Sequence, residues 1–168
     1  MTQSPPSPLL KHPAFQSLSE EATVRLTQGC RGLRFELGQQ LCEPDKIPAR
    51  ILVLLQGQAR LVGRHNGRLT TVGKFGPGSI IGAASLLTGQ PCENVIAAEE
   101  VVAIALPDDL WSDLYDSEPS FRDWCDLQLW PQELLNLLEV LEETTAETDS
   151  SPLEKFEDAL QQAQRCSP

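Results

Sequence analysis

The stretch FGPGSIIG, residues 75–82, makes a sharp corner in which glycines and a proline surround a two-residue apolar step. Upstream of it, short β-favouring runs are separated by turn-forming residues at intervals of about eight to twelve positions. The continuous apolar run ILVLL, residues 51–55, is typical of a strand buried on both faces. Downstream, VVAIALP at residues 101–107 ends in a proline followed by two aspartates, a strong helix start. The region from residue 30 to 106 therefore predicts a sandwich or barrel of short strands.

Helical patterns flank this strand-rich region on both sides. Ser19 is suited to cap a helix that opens with Glu20 and Glu21. After Pro107, apolar spacings of three and four predict C-terminal helices. We therefore predict a flexible N-terminal arm over residues 1–14, one domain over 15–142, and an acidic linker with a loosely held tail helix over 143–168.

Net charge limits the partners that the chain is expected to bind. Its 168 residues carry a formal charge of -11. An acidic chain repels phosphate backbones, so we expect no nucleic-acid partner. An anionic membrane surface is disfavoured for the same reason. No apolar run approaches the roughly 18 residues that a membrane span needs, so no membrane insertion is expected.

The cysteines indicate the redox compartment. There are five, widely spaced, and no pair has the CxxC spacing of a zinc or thioredoxin-like site. An odd number of dispersed thiols, together with the absence of a signal peptide, predicts reduced cysteines and a cytoplasmic location.

The order of an N-terminal helix, about eight strands with glycine corners and C-terminal helices resembles the cyclic nucleotide-binding domain family. The resemblance runs roughly from Phe15 to Leu141, and residues 75–106 carry its most specific part. It implies a mainly β fold, an eight-stranded β-roll or jelly roll, with helices at both ends. It also implies that residues 82–94 correspond to the family's phosphate-binding cassette.

The cassette keeps the family's framework residues and departs from its ligand-binding ones. Gly82, Ser85, Leu86 and Pro91 match the family pattern. Ala83 stands where the family has the glutamate that grips the ribose hydroxyl, and Cys92 stands where it has the phosphate-binding arginine. The remaining departures are Ile81 for phenylalanine, Ala84 for an aliphatic residue, and Glu93 and Asn94 for two small residues.

These departures predict weak binding of cyclic nucleotides. A charge-assisted hydrogen bond contributes roughly 1.5–3 kcal/mol. Loss of the arginine and the glutamate together therefore costs on the order of 3–6 kcal/mol, or two to four decades of affinity. Glu93 adds a negative charge near where a phosphate would lie. Two interpretations stay open: a redesigned pocket for another small anionic ligand, lined by Ala83, Ser85 and Cys92, or a collapsed vestigial loop.

No catalytic or metal site can be assembled from the remaining polar residues. His12 and His65 lack neighbouring ligands, and no Ser-His-Asp or Cys-His arrangement is evident. A turn between strands explains the pair Glu99 and Glu100. For Cys92 a small buried apolar role is favoured over a redox role. We expect no enzyme activity, no metal and no cofactor.

The C-terminal helices offer the strongest candidate for a protein contact. Leu134, Leu137, Leu138 and Leu141 lie on a broad apolar face that predicts either a homodimer or partner seam or packing on the β-roll. Trp111, Trp124 and Trp130 are interpreted as packing residues rather than a ligand lid.

The opening of the chain, through its Gly29-Cys30 and Gly38-Gln39 steps, is also similar to the N-terminal sensor module of some bacterial peptidase-containing ABC exporters. The sequence thus predicts a non-enzymatic regulatory or interaction module, with a small-ligand sensor as the alternative.

Overall fold

The computed structural model describes residues 7–65, 67–144 and 152–166, and eight strands follow one another in this part of the chain. The strands are β1 (Arg31–Phe35), β2 (Gln40–Cys42), β3 (Arg50–Gln56), β4 (Ala59–His65), β5 (Arg68–Phe75), β6 (Ile80–Ile81), β7 (Val95–Ala97) and β8 (Val101–Pro107). The helices are α1 (Ser7–Leu10), α2 (Glu20–Gly29), α3 (Ala83–Thr88), α4 (Asp108–Ser117), α5 (Pro119–Leu127), α6 (Pro131–Thr144) and α7 (Pro152–Cys166), with a 3-10 turn at Pro13–Phe15.

The strands form two four-stranded antiparallel sheets. One has the order β1-β8-β3-β6 and the other the order β2-β7-β4-β5. This is an eight-stranded β-roll with helices before and after it, so the predicted fold class is confirmed.

The centre of β3, residues 51–54, is buried on both faces, which explains its continuous apolar sequence. Leu52 and Leu54 point into the inter-sheet core, which also contains Leu61, Val95 and Ala103. The alternate residues Ile51 and Val53 point into the helix-side core, which contains Phe15, Trp111 and Phe121. Because successive side chains on a strand point to opposite faces, one strand supplies both cores.

The N-terminal segment packs onto the domain from Leu9 onwards, in contrast to the flexible arm predicted for residues 1–14. Leu9 is fully buried in the helix-side core together with Ala14 and Phe15. His12 caps the 3-10 turn, since its Nδ1 accepts a hydrogen bond from the Ala14 amide at 3.2 Å. Residues 1–6 lie outside the described part of the chain.

The C-terminal segment also differs from the expected linker and loose tail. Helix α6 continues to Thr144, and α7 begins at Pro152. Phe156 on α7 is 1% exposed and belongs to the inter-sheet core, so α7 is docked. Leu160 packs against the same core, so Phe156 and Leu160 mark the face by which α7 docks. Residues 145–151 lie outside the described part.

Candidate functional site

The cassette begins at a glycine that no other residue can replace without strain. Gly82 has φ of 99° and joins β6 to α3. A Cβ there would lie 3.0 Å from Cγ of Pro48 and 3.1 Å from the carbonyl oxygen of Arg50. Glycine alone combines the left-handed conformation with this close approach. The turn therefore aims the amides at the start of α3 into the interior of the domain.

A buried carboxylate occupies the position at which these amides point. Glu93 is 0% exposed. Its Oε1 accepts hydrogen bonds from the Gly82 amide at 2.8 Å and from Nε2 of Gln132 at 2.9 Å. Its Oε2 accepts from the Ser85 amide at 3.1 Å and from the Ser85 hydroxyl at 2.7 Å. We call these four donors, contributed by Gly82, Ser85 and Gln132, the anion cradle.

The cradle stabilises Glu93 without an ion pair among the described residues. A buried carboxylate is tolerated when its lone pairs are satisfied, and hydrogen bonds to a charged acceptor are the stronger kind. Two of the donors are backbone amides at the start of α3, where the helix dipole also favours negative charge. The chain thus provides its own anion for this position.

The predicted cassette residues have three different roles. Gly82, Ser85 and Glu93 meet in the cradle. Ala83 and Ala84 are fully buried, and Leu86 packs partly buried against the helix-side core, so these side chains have packing roles. Asn94 joins neighbouring strands: its Oδ1 accepts from Nε2 of Gln40 at 2.9 Å, and its carbonyl accepts from the Val62 amide at 2.8 Å.

Cys92 holds the loop next to the cradle. Its amide donates to the Ser85 hydroxyl oxygen at 3.2 Å, and its Sγ lies 3.5 Å from the same oxygen. The thiol is half-buried rather than buried as predicted. Burial nevertheless raises its pKa, against the opposing effect of the Ser85 hydrogen bond. A neutral thiol at this position supplies no positive charge for a phosphate.

Helix α6 lies directly over β4 and narrows the space beside the cradle. Oε1 of Glu139 accepts a hydrogen bond from the Arg64 amide at 2.9 Å. A Cβ on Gly63 would meet that oxygen at 3.1 Å and Cδ2 of Leu135 at 3.2 Å. The cavity that remains has a volume of about 200 Å³, and its walls include Arg64, Cys92, Asn94, Asn136 and Glu139.

Gln132 is a residue of the site that its sequence context does not reveal. It is 1% exposed, lies on the first turn of α6, and closes the cradle from a position 39 residues beyond Glu93. No local motif marks it, because a glutamine after Pro131 reads as an ordinary residue of a first helical turn. The contact exists only because α6 packs across the cassette.

The leucines proposed for partner contact are mostly turned towards the domain. Leu134 and Leu138 pack, half-buried, against the inter-sheet core together with Leu160 of α7. Leu137 is 55% exposed. The side chain of Leu141 lies outside the described residues. The helices α6 and α7 contact each other, so the chain itself covers part of this apolar face.

The other polar candidates have local roles. Glu100 forms an ion pair with Arg34 at 3.3 Å in the turn between β7 and β8, as the turn interpretation predicts. The His65 side chain lies outside the described part. Within that part, no three His, Cys, Asp or Glu residues are grouped to hold a metal ion. None of the helices described has the length and hydropathy that crossing a membrane requires.

Solved structures share this fold at low sequence identity. A regulatory subunit of a cAMP-independent protein kinase A from Trypanosoma brucei matches with 19% identity and a TM-score of 0.58, covering 90% of this chain and 48% of that chain. A cyclic nucleotide-binding domain from Methylobacillus flagellatus matches with 22% identity and a TM-score of 0.53, covering 76% of this chain and 68% of that chain. The Thermus thermophilus catabolite activator protein matches with 20% identity and a TM-score of 0.55, covering 79% of this chain and 57% of that chain.

This chain spans about half the length of the trypanosomal kinase subunits that it matches. No curated protein matches the sequence. The likeness to exporter sensor modules stays a prediction. The family model for the cyclic nucleotide-binding domain matches residues 33–118, which is half of the 168 residues. Together with the two-sheet β-roll and the cassette at the start of α3, this match shows that the chain belongs to the cyclic nucleotide-binding domain family.

Proposed function

We propose that the chain is a non-enzymatic regulatory or interaction module whose anion cradle is permanently filled by its own Glu93, so that it does not bind cAMP or cGMP in the usual way. One observation carries the proposal: the Glu93 carboxylate is fully buried and accepts four hydrogen bonds. A phosphate entering this position would have to displace a group that the chain holds there. A tethered group has a high effective concentration, so a free ligand competes poorly with it.

Charge adds to this competition. The family's arginine is replaced by Cys92, which burial keeps neutral. A phosphate near the cradle would face the Glu93 carboxylate with no compensating cation at position 92. Like charges in close contact are strongly unfavourable, and a hydrogen-bonded carboxylate is not easily expelled.

Helix α6 takes part in the same arrangement. Gln132 links it to the cradle, and Glu139 links it to β4. These contacts support a module held in one closed state, which acts through protein contacts rather than through a nucleotide. We place the partner or homodimer contact on the C-terminal helices, at the exposed side of α6 that includes Leu137.

The five unpaired cysteines are compatible with a reducing compartment such as the cytoplasm. The acidic charge of the chain disfavours a nucleic-acid partner.

The remaining cavity supports a second candidate function, a sensor for a small ligand other than a cyclic nucleotide. Its volume of about 200 Å³ is below the roughly 300–1,000 Å³ typical of small-molecule sites. Arg64, Asn94 and Asn136 on its walls favour a small polar or anionic molecule. Glu139 on the same wall opposes a highly charged one.

Thermal unfolding with cAMP, cGMP and inorganic phosphate tests the proposal. A ligand at a hundred times its dissociation constant adds about 2.7 kcal/mol of stability, which is a shift of several degrees. We expect no shift for the natural chain. The double variant Cys92→Arg with Glu93→Ala restores the family's arginine and empties the cradle, so it should gain a shift with phosphate and cAMP.

Glu93→Gln is the matched control, because it removes the charge but leaves the cradle filled. It should gain no phosphate shift. A clear shift of the natural chain with cAMP or cGMP would overturn the proposal. A shift with phosphate alone, reduced by Asn136→Ala, would favour the small-ligand sensor instead.

A further inference from the structure

A second depression in the surface lies away from the cradle, between the β5–β6 turn and the connection from α5 to α6. Its walls include Phe75, Trp124, Trp130 and Gln132, and its volume is about 260 Å³. The two tryptophan rings meet edge to face, with centroids 6.2 Å apart. Both are only half-buried, whereas Trp111 is fully buried. We call this depression the aromatic groove.

The aromatic groove carries no formal charge. None of the described residues that line it is Asp, Glu, Lys or Arg. Its one titratable residue is His12, and both ring nitrogens of His12 are engaged. Nδ1 accepts from the Ala14 amide, so Nε2 carries the proton and donates to the Gly78 carbonyl at 2.8 Å. Aromatic walls without charge favour an uncharged, planar ligand.

Gln132 lines one end of the groove, and its side-chain amide oxygen is an unused hydrogen-bond acceptor beneath the surface there. The Glu93 carboxylate accepts from the amide nitrogen of Gln132, which fixes the orientation of the amide group and turns its oxygen away from Glu93. This oxygen is buried and has no hydrogen-bond partner among the described residues. A buried acceptor without a donor is unfavourable, so a ligand that supplies one N–H or O–H would be stabilised here once a small side-chain movement exposes the oxygen.

We propose that the aromatic groove binds a free, uncharged, planar molecule of about two fused rings that donates one hydrogen bond to the amide oxygen of Gln132. The ring would lie against Trp124 and Trp130, and the groove's volume suits a ligand smaller than drug-sized molecules. This site is separate from the anion cradle, although Gln132 contributes to both. The proposed binding depends only on the walls of the groove and on the Gln132 oxygen. It therefore does not require that Glu93 exclude cyclic nucleotides.

Titration of the ¹⁵N-labelled full chain with indole tests the site directly. The indole N–H signals of Trp124 and Trp130 should move in a saturable way, while that of the buried Trp111 stays in place. The same titration with 1-methylindole, which has the same shape but no N–H, should show binding about threefold to tenfold weaker. Indole-3-acetate should also bind more weakly, because its carboxylate would enter an uncharged groove.

Variants separate the groove from the rest of the fold. Trp130→Ala should abolish the indole response, while Glu133→Gln, at an exposed position on the same helix as Gln132, should leave it unchanged. Equal affinity for indole and 1-methylindole in the natural chain would overturn the proposal without any variant. The absence of movement at Trp124 and Trp130 at millimolar indole would do the same. Tighter binding of N-acetyltryptophanamide than of indole would overturn the proposal that the ligand is a free molecule. It would indicate instead that the groove accepts a tryptophan side chain of a partner protein.

Discussion

Nε2 of Gln132 donates a 2.9 Å hydrogen bond to Oε1 of Glu93, and neither side chain is more than 1% exposed. The bond joins the cassette, residues 82–94, to the first turn of α6. It completes the set of donors around a carboxylate that has no ion-pair partner among the described residues. The position of α6 and the filling of the cradle therefore depend on each other.

Gln132→Leu tests that dependence. The variant keeps a similar side-chain volume but removes the donor from Glu93, leaving a buried charge with one hydrogen bond fewer. We expect the free energy of unfolding to fall by about 1–3 kcal/mol, measured by urea denaturation. Glu133→Gln, at the exposed neighbouring position, is the control and should change stability by less than about 0.5 kcal/mol. Equal effects of the two variants would show that the Gln132 bond contributes nothing.

Phe156→Ala tests whether α7 is docked. Phe156 is 1% exposed in the inter-sheet core, so truncation leaves a cavity and costs about 3–5 kcal/mol if α7 unfolds together with the domain. If α7 alone is released, limited proteolysis should cleave before α7 in the variant and spare the natural chain. Gln161→Ala, on the exposed side of α7, should behave like the natural chain in both measurements. Identical proteolysis of the natural chain and Phe156→Ala, together with unchanged stability, would contradict docking.

Glu118 should make stability depend on pH. Its carboxylate accepts from the Ser19 hydroxyl at 2.7 Å and from the Ser19 amide at 3.1 Å. These bonds lower the pKa of Glu118 below its ordinary value of 4.5. Because the pKa of Glu118 is lower in the folded state than in the unfolded state, its hydrogen bonds contribute fully to stability above the unfolded-state pKa. This contribution to stability is lost as the pH falls through the folded-state pKa.

Glu118→Gln should therefore flatten the stability curve on the acid side, measured as the urea midpoint between about pH 6 and pH 3. The effect will be small because Glu118 is largely solvated, and salt will weaken it further. Glu21→Gln is the matched control, since Glu21 is exposed and lies on the helix that Ser19 caps. A larger acid-side effect from Glu21→Gln than from Glu118→Gln would refute the assignment.

Thiol labelling should follow burial. Cys166 is exposed, Cys92 is half-buried, and the other three cysteines are buried. Burial raises the pKa of Cys30 and of Cys125 to about 12, and it raises the pKa of Cys92. Because the thiolate is the reactive form, native protein at pH 8 should react with iodoacetamide at Cys166 first and at Cys92 much more slowly. Mass spectrometry of digested samples measures the order, and Cys166→Ser should abolish the fast phase. Rapid labelling of Cys92 in that variant would identify it as a reactive thiol after all.

The strand framework could be predicted because its signals are local. The apolar run of β3 places Ile51 and Leu52 in the two different cores, as a strand buried on both faces requires. Gly82 and Ser85 were identified from the family's cassette pattern, and Glu93 was expected to bring a negative charge near the phosphate position. Sequence alone did not indicate that the Glu93 side chain itself would fill that position.

The C-terminal region was predicted less well, because helical periodicity reveals an apolar face but not what covers it. Leu134 and Leu138 were assigned to a partner seam or to packing, and the structure packs both against the inter-sheet core beside α7. Phe156 was assigned to a loosely held helix and is instead part of that core. In both cases the deciding contacts join segments whose separation in sequence carries no pattern.

The sequence by itself determined the framework of short strands and the glycine corner at Gly82, since these depend on short-range propensity and on residue type. That positions 83 and 92 have lost the family's ligand-binding residues stays what the resemblance to the family predicts. Only the tertiary structure decided that Glu93 turns inward, because the four donors that stabilise its charge come from Gly82, Ser85 and Gln132 and meet at one point only after α6 packs across the cassette. A buried carboxylate is stable only where its hydrogen bonds are complete. Chain folding, and not any local motif, brings those donors together.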